Sequence, residues 1–323
     1  MRSILAGILV ALAGPALAAP PFSERADVQA FIGELVARDG FVDGDLRNLF
    51  SRVQRVEPVL QLIPPAERPS WDEYRAQFVN EQRVSGGLAF WKANRRHLAR
   101  AERDYGVPAQ VIVAILGVET NYGRHMGRYR VVDALTTLAF DYAPRASFFR
   151  SELEQYLLLV REWNVDVFAL RGSYAGAMGL PQFMPGSVRR YAVDFDGNGS
   201  IDLRNSSADA IGSVANFLKS HGWQAGAPVA LRAKVSAELA AAYGDAGAEP
   251  RHRLAELIAA GVALEPAPPS AEALGTLVTL GGEYRVGLQN FYVITRYNRS
   301  VLYAGAVSDL ADALAERAQS AGR

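Results

Sequence analysis

The chain has 323 residues, half of them hydrophobic, with 34 basic and 34 acidic side chains and no cysteine. The balanced charge gives no overall field that would attract nucleic acid or an acidic membrane surface, and the length allows a sizeable core. The missing cysteine excludes disulfides, thiolate–metal sites and a lipid-modified N-terminus. The four histidines are scattered, so a zinc hydrolase is not expected.

Residues 1–18 have the features of a signal peptide. Arg2 precedes an apolar run over 4–12, Pro15 ends that run, and Ala16 and Ala18 are the small residues that a signal peptidase requires. A buried N-terminal helix is the alternative. Neither this run nor any later segment is long and apolar enough to span a bilayer. We therefore expect an exported, soluble, periplasmic protein with a mature region over 19–323.

Helical patterns dominate the next two hundred residues. An apolar segment over 109–118 is hydrophobic on nearly every face, which predicts a helix in the middle of a domain. A loop rich in glycine and alanine is expected over 172–186. The remaining helices are predicted over 27–38, 43–55, 70–102 (one long stretch), 133–140, 150–163 and 209–221.

The pattern changes after Trp223. Strands are predicted over 228–235 and 274–288, because β-branched residues and glycine recur there. Small helices are expected over 236–243 and 252–260, and closing helices over 290–297 and 301–318. The predicted fold class is mainly α (α+β), with a small sheet inserted late.

Glu119 is the strongest candidate for a catalytic residue. It ends the apolar helix, where burial and the negative end of the helix dipole both favour the protonated carboxyl. A protonated Glu in an apolar pocket is the general acid that cleavage of a glycosidic bond needs. The alternative is a buried Glu held by a structural hydrogen bond.

Two further segments carry candidate binding residues. The glycine-rich segment 172–185 allows backbone to approach a ligand, and its interspersed Tyr174, Met178, Gln182 and Phe183 suit sugar rings; a tight structural loop is the alternative. Oxygen-bearing side chains over 194–200 match the start of a calcium loop, with a plain turn as the alternative. The calcium ligands predicted there are Asp194, Asp196, Asn198, the Ser200 carbonyl and Asp209, since Asn205 replaces the usual Glu.

These segments, in this order, resemble the membrane-bound lytic murein transglycosylase B family. The resemblance rests on five motifs, at 119–123, 172–185, 209–216, 222–223 and 290–300, and covers the chain from about residue 30 onward. It implies a lysozyme-like helical core over about 80–224, flanked by a helical domain. A β-containing subdomain over about 225–288 and C-terminal helices over 289–323 would follow.

The resemblance also implies a mechanism and a set of site residues. Glu119 would protonate the oxygen between N-acetylmuramic acid and N-acetylglucosamine, and would then activate the muramyl 6-hydroxyl to give a 1,6-anhydromuramyl end. The implied glycan contacts are Ser173, Tyr174, Met178, Gln182, Arg145, Phe217, Tyr297 and Asn298. Pro144 and Phe217 replace an arginine and a phenol that are common in the family.

Two other functions remain open from the residues alone. A hydrolytic lysozyme on the same scaffold would let water replace the 6-hydroxyl, and a glycan-binding cell-wall protein would have no catalysis. The expected partner is the peptidoglycan glycan strand, with calcium as a structural ion and no cofactor for catalysis. We expect a monomer, with other cell-wall enzymes as protein partners.

Overall fold

The computed structural model describes residues 20–63, 69–244, 247–268 and 270–321. The predicted signal peptide, residues 1–18, lies outside these ranges. Contacts divide the chain into two compact units, Met1–Gln54 and Arg55–Arg323. The candidate site residues all belong to the second unit.

The first unit contains two helices in its described part. A short turn of 3-10 helix (Phe22–Glu24) leads into α1 (Ala26–Asp39), and α2 (Asp43–Arg52) follows after Gly40. The rings of Phe31 and Phe50 meet edge to face at 6.4 Å between helices. The second helix stops before the predicted residue 55, because the backbone is already extended at Val53.

The second unit is mostly helical. Its longest helix is also its last, α15 (Val301–Ala321). Before it come α3 (Glu57–Leu62), α4 (Trp71–Phe78), α5 (Glu81–Ala93), α6 (Arg95–Tyr105), α7 (Ala109–Thr120), α8 (Val131–Asp141), α9 (Ala146–Trp163), α10 (Pro185–Tyr191), α11 (Ser207–Ser220), α12 (Ala237–Tyr243), α13 (Leu254–Ala259) and α14 (Gln289–Tyr297).

The predicted long stretch over 70–102 is wrong, since three separate helices occupy it. Asn80, between the first and second of these helices, has an extended backbone. Its side chain accepts a hydrogen bond from the Arg83 backbone N–H at 3.0 Å. Asn94 separates the second helix from the third, because its backbone departs from helical geometry. Asparagine side chains compete for backbone groups, so they favour such breaks over helix interiors.

Helix α7 lies at the centre of this unit, as its composition predicts. Every residue in it is buried except Gln110 and Glu119, and α5, α6, α11 and α15 pack around it. A Cβ on Gly117 would lie 2.6 Å from the Tyr122 hydroxyl oxygen, so only glycine leaves room for that ring. The Tyr122 hydroxyl donates to the Arg83 carbonyl at 2.8 Å, which joins α5 to the turn after α7.

The late sheet has five antiparallel strands. Strands β3 (Ala230–Lys234), β6 (Leu274–Leu280) and β7 (Glu283–Gly287) were predicted, whereas β4 (His252–Arg253) and β5 (Ala263–Glu265) were not. Their order is β4-β6-β7-β3-β5. The two unpredicted strands are too short to show an alternating pattern. A separate two-stranded ladder joins β1 (Tyr129–Arg130) to β2 (Arg171–Gly172).

Packing fixes the sheet to the helical part of the unit. Leu231, Leu277 and Val286 form one core with Leu254 and Leu257 of α13. On the other side, Trp71, Leu280 and Ala306 pack α4, β6 and α15 together. The mainly α class with a small sheet is therefore confirmed, and in the described ranges no helix is both long and apolar enough to cross a membrane.

We predict that Gly117→Ala destabilises the protein by about 1–3 kcal/mol, because the added methyl group would overlap the Tyr122 ring. Alanine is otherwise the better helix former, so a net loss isolates the steric effect. Urea unfolding measures the change. Gly33→Ala is the matched control: it lies in α1 with no atom within 4 Å of its added Cβ. Equal stability of Gly117→Ala and the wild type would contradict this packing.

Candidate active site

Glu119 lies at the penultimate position of α7, one residue before this buried helix ends at Thr120. Its side chain is partly exposed, but the carboxyl is deep enough that burial raises its pKa from 4.5 to about 7. A hydrogen bond from Tyr303 acts against this shift. No second carboxylate in the described chain perturbs the pKa. The group can therefore hold a proton near neutral pH and also release it, as an acid and base must.

Three tyrosines surround this carboxyl. The Tyr303 hydroxyl donates to Glu119 Oε1 at 2.6 Å, and its ring stacks near Tyr297, with centroids 6.3 Å apart. Burial, and then the negative charge of Glu119, raise the pKa of Tyr74 to about 12. All three phenols stay neutral donors, because burial raises the pKa of Tyr297 and Tyr303 as well.

Tyr74 and Tyr303 were not predicted as site residues. Tyr303 is separated from Glu119 by 184 positions, so no local spacing connects the two. The one available signal is that Tyr303 follows shortly after the segment 290–300 of the family resemblance. Tyr74 lies in α4, inside the stretch that was predicted as one long helix.

The turn after Glu119 attaches α7 to the glycine-rich segment. Thr120 Oγ1 donates to the Leu180 carbonyl at 3.0 Å and accepts from the Gly123 N–H at 3.0 Å. The Tyr297 hydroxyl donates to the neighbouring Pro181 carbonyl at 2.5 Å. Two helices distant in sequence thus hold the same loop next to Glu119.

The glycine-rich segment is a shaped loop, as expected. Ser173 Oγ accepts from the N–H groups of Ala175 and Ala177, so its own hydroxyl proton remains free for a ligand. Gly179 has a φ of +70°, and a Cβ there would lie 2.5 Å from the Leu203 carbonyl oxygen. The Gln182 amide nitrogen donates to the Gly179 carbonyl at 2.9 Å, which leaves Oε1 as an acceptor.

The predicted glycan contacts fall into exposed and buried side chains. Tyr174 is 40% exposed at the surface of the loop, whereas Met178 is only 6% exposed and bridges Gly172 and Phe183 through backbone pairing. Phe217 is likewise 5% exposed. Met178 and Phe217 therefore belong to the floor beneath the loop, and Tyr174 projects from it.

An aromatic cluster supports this floor. Phe217 packs against Tyr297 with a centroid distance of 4.9 Å and against Phe183 at 5.6 Å. His221 also stacks on Phe217, with centroids 4.1 Å apart and its Nδ1 2.7 Å from the Phe217 carbonyl. The cluster joins α11, α14 and the glycine-rich loop.

Two predicted contacts lie at the periphery. Arg145 is exposed before α9, with its guanidinium 4.3 Å from the Phe148 ring centroid. Asn298 is exposed just after α14, and its carbonyl accepts a hydrogen bond from the Ser300 N–H at 2.7 Å. Within the described residues, no hydrogen bond or ring contact connects either of them to Glu119.

Three of the five predicted calcium ligands converge. Carboxylate oxygens of Asp194, Asp196 and Asp209 lie within 4.8 Å of one another. Calcium–oxygen bonds of 2.3–2.6 Å place opposite ligands about 5 Å apart, so this spacing fits the ion. Asp209 is fully buried, and none of the three forms an ion pair with Lys or Arg in the described ranges.

Backbone bonds shape this loop around its acids. The N–H groups of Gly199 and Gly197 donate to Asp194 and lower its pKa, the Gly199 bond most strongly. Asp209 accepts from the N–H groups of Phe195 and Asp202, which ties the first turn of α11 to the loop. Asn198 and Ser200 complete the exposed side.

Comparison with known proteins agrees with this site. A model of the transglycosylase SLT domain family matches residues 23–312. Membrane-bound lytic murein transglycosylase B of Escherichia coli (strain K12) is 41% identical over 310 residues, which cover 91% of this chain and 84% of that protein.

Three solved structures are similar along most of the chain. The soluble lytic transglycosylase SltB1 of Pseudomonas aeruginosa is 49% identical with a TM-score of 0.85, covering 91% of this chain and 99% of that one. Escherichia coli Slt35 in complex with calcium is 40% identical, with a TM-score of 0.82 and coverages of 92% and 95%. Pseudomonas aeruginosa SltB3 in complex with NAG-anhNAM-pentapeptide is 32% identical, with a TM-score of 0.78 and coverages of 90% and 79%.

The chain therefore belongs to the transglycosylase SLT domain family. It is an enzyme, a lytic transglycosylase with a lysozyme-like fold, and the family resemblance read from its motifs is confirmed. A purely glycan-binding protein without catalysis is excluded.

Removing the Tyr303 hydroxyl tests the electrostatics of Glu119. We predict that Tyr303→Phe raises the pKa of Glu119 above its value of about 7, because a bond that stabilises the carboxylate is lost. The acid then stays protonated to higher pH, so the alkaline limb of the kcat/KM profile moves upward. Tyr297→Phe is the control, since its hydroxyl bonds Pro181 instead. Equal profiles for the two variants would be inconsistent with this role.

Proposed function

We propose that Glu119 performs both proton transfers of glycan cleavage. In the first step its protonated carboxyl donates to the oxygen that joins C1 of N-acetylmuramic acid to N-acetylglucosamine, and the C1–O bond breaks. The observation that carries this assignment is a lone carboxyl at the end of a buried helix, with a pKa of about 7. Such a group is half protonated at neutral pH and suits a general acid.

In the second step the resulting carboxylate accepts the proton of the muramyl 6-hydroxyl while that oxygen bonds to C1. No water enters, so the product is a 1,6-anhydromuramyl end, and Glu119 regains its proton. Because the attacking hydroxyl belongs to the same sugar, proximity supplies part of the rate. A second carboxylate nucleophile, as in the paired-acid glycosidases, is not needed.

The glycine-rich loop is proposed to hold the glycan beside this acid. Ser173 can donate its free hydroxyl proton, Gln182 can accept through Oε1, and the exposed Tyr174 ring offers a stacking face. Met178 and Phe217 would support the sugar from below. Tyr297, Asn298 and Arg145 complete the proposed set, with Arg145 and Asn298 as outer contacts to sugar or peptide groups.

A structural calcium ion is proposed for the acidic loop. Asp194, Asp196 and Asp209 would supply carboxylate oxygens, with Asn198 and the Ser200 carbonyl completing the shell. The two positive charges of the ion would offset most of the three neighbouring negative charges. The acidic loop follows the glycine-rich segment and precedes α11. A bound ion would therefore help to hold the floor beneath the glycine-rich loop.

The proposed location is the periplasm, with the protein soluble, not lipid-anchored and monomeric. Its partner would be the peptidoglycan glycan strand, together with other cell-wall enzymes. A peptidoglycan substrate, which lies outside the cytoplasmic membrane, supports this location.

Product analysis separates this mechanism from hydrolysis. We predict that digestion of purified sacculi releases muropeptides with anhydro ends, each one water lighter than the corresponding lysozyme product. Mass spectrometry of the released fragments measures this difference. If reducing-end muropeptides dominate, the enzyme is a hydrolase and water replaces the 6-hydroxyl.

The role of Glu119 predicts a severe defect in Glu119→Gln. The amide neither donates the acid proton nor accepts one, so cleavage should fall by at least the factor of about 10²–10⁴ assigned to acid–base catalysis. The amide oxygen can still accept the Tyr303 hydrogen bond, so the fold should persist. Release of soluble fragments and thermal unfolding measure the two effects. Near-normal activity in a folded variant would make Glu119 structural.

Calcium should stabilise the folded protein. An ion that binds only the folded state raises the free energy of unfolding by roughly 2.7 kcal/mol when its free concentration is a hundred times Kd. We therefore predict a higher melting temperature with calcium than with chelator, and no such difference in Asp196→Asn. Glu102→Gln, an exposed acid on α6, should respond like the wild type. Equal melting temperatures with and without calcium in the wild type would argue for a plain turn.

A further inference from the structure

A buried carboxylate that takes no part in the proposed proton transfers lies beside the end of the glycine-rich loop. Glu152, on α9, is only 8% exposed. Its Oε2 accepts from the Gly186 N–H at 2.8 Å, immediately after the loop segment 172–185. Burial raises the pKa of Glu152, and the Gly186 bond and then the charge of Arg190 oppose that rise. A carboxylate is rarely buried unless such partners replace its lost hydration.

The start of α10 explains why Gly186 bonds to another helix. Helix α10 begins at Pro185, which has no N–H, after Met184, whose side chain makes no capping bond. The Ser187 N–H bonds the Met184 carbonyl at 2.8 Å, whereas the Gly186 N–H donates to Glu152. A Cβ at Gly186 would lie 3.1 Å from Glu152 Oε1, so glycine leaves room for the carboxylate. Helix α9 therefore satisfies a donor that α10 leaves open.

A strained residue lies just before this anchor. Gln182 has a φ of +49°, a left-handed conformation that is unfavourable for a residue with a Cβ. Such a conformation persists only where the surrounding structure holds the chain on both sides. On the N-terminal side, the Pro181 carbonyl accepts a hydrogen bond from α14. On the C-terminal side, Phe183 forms two backbone hydrogen bonds with the first half of the loop, and Glu152 holds Gly186.

We propose that Glu152 is a positioning residue for glycan binding. By holding Gly186, it keeps Gln182 in the conformation that presents its amide Oε1 to the glycan. Three residues separate these two positions, and one of them is Pro185 with its fixed φ, so a shift of Gly186 is transmitted to Gln182. Helix α9 is a firm support, because it packs against both α8 and α10. Glu152 touches no reacting atom, and its role rests on the proposed function, in which Gln182 accepts from the glycan.

Three substitutions distinguish the reach of this side chain from its charge. Glu152→Gln loses the charge but keeps a carbonyl oxygen at the same distance from the helix. Glu152→Asp keeps the charge but is one methylene group shorter, so its oxygens fall short of the Gly186 N–H. Glu152→Leu has a similar size and no acceptor. We expect Glu152→Gln to bind the glycan normally, and the other two variants to bind it about tenfold more weakly.

Glu162→Leu is the matched control. Glu162 also lies on α9 and joins it to α10, through an ion pair with Arg189 at 2.6 Å. This contact does not involve the Gly186 N–H. Its loss therefore shows whether any weakening of the contact between the two helices affects the glycan. We expect Glu162→Leu to bind the glycan normally.

All variants are made in the full mature Glu119→Gln protein, so that the ligand is not turned over. Calorimetry measures Kd for a tetrasaccharide of alternating N-acetylglucosamine and N-acetylmuramic acid, at a temperature where melting curves show each variant folded. NMR measures hydrogen exchange of the Gly186 amide, which should be faster in Glu152→Asp and Glu152→Leu than in Glu152→Gln. If Glu152→Leu does not fold, Glu152→Asp and Glu152→Gln still give the comparison.

Equal Kd values for the folded Glu152 variants, or equal weakening by Glu152→Gln and Glu152→Asp, would overturn the proposal. Unchanged exchange of the Gly186 amide in Glu152→Asp would do the same. Weaker binding by Glu162→Leu would also overturn it, because a general loosening of α9 would then explain the effect. If the Glu119→Gln parent binds no tetrasaccharide, the proposed function itself fails. If the parent binds and the Glu152 variants bind equally well, only the positioning role fails.

Discussion

The placement of one carboxyl at the end of a buried helix is the constraint on which the site depends. Helix α7 is enclosed by α5, α6, α11 and α15. Glu119, next to the C-terminal end of this helix, is therefore only partly exposed from an apolar interior. Desolvation there raises its pKa to about 7, and the Tyr303 hydrogen bond keeps it from rising further. Either effect alone would give a carboxyl that is less suited to both donating and accepting a proton near neutral pH.

The same helix end also positions the glycine-rich loop. Thr120 bonds the Leu180 carbonyl and Tyr297 bonds the Pro181 carbonyl, so the loop is fixed from α7 and from α14 at adjacent residues. Phe217 and Phe183 fill the space beneath it. The loop therefore needs little regular structure of its own, because its geometry is imposed by the helices around it.

Helix α15 connects the catalytic carboxyl to the sheet. Tyr303 on this helix reaches Glu119, while Asp309, six residues later, bonds Arg285 of β7. Trp71 and Leu280 pack beside Ala306 between these two contacts. The small sheet thus supports the helix that supplies the catalytic hydrogen bond, and its contribution to the active site is mechanical.

The sequence by itself determined the central helix, Glu119 at its end, the glycine-rich loop and the acidic loop, because periodicity, glycine content and oxygen spacing are local properties. It missed the helix breaks at Asn80 and Asn94, and the short strands β4 and β5, where the local pattern is too brief. Only the tertiary structure brought Tyr74 and Tyr303 to Glu119 and set its pKa. The apolar helix already predicted that burial favours the protonated form of Glu119. The hydrogen bond across 184 positions that opposes this shift arises from packing between helices, which no local pattern encodes.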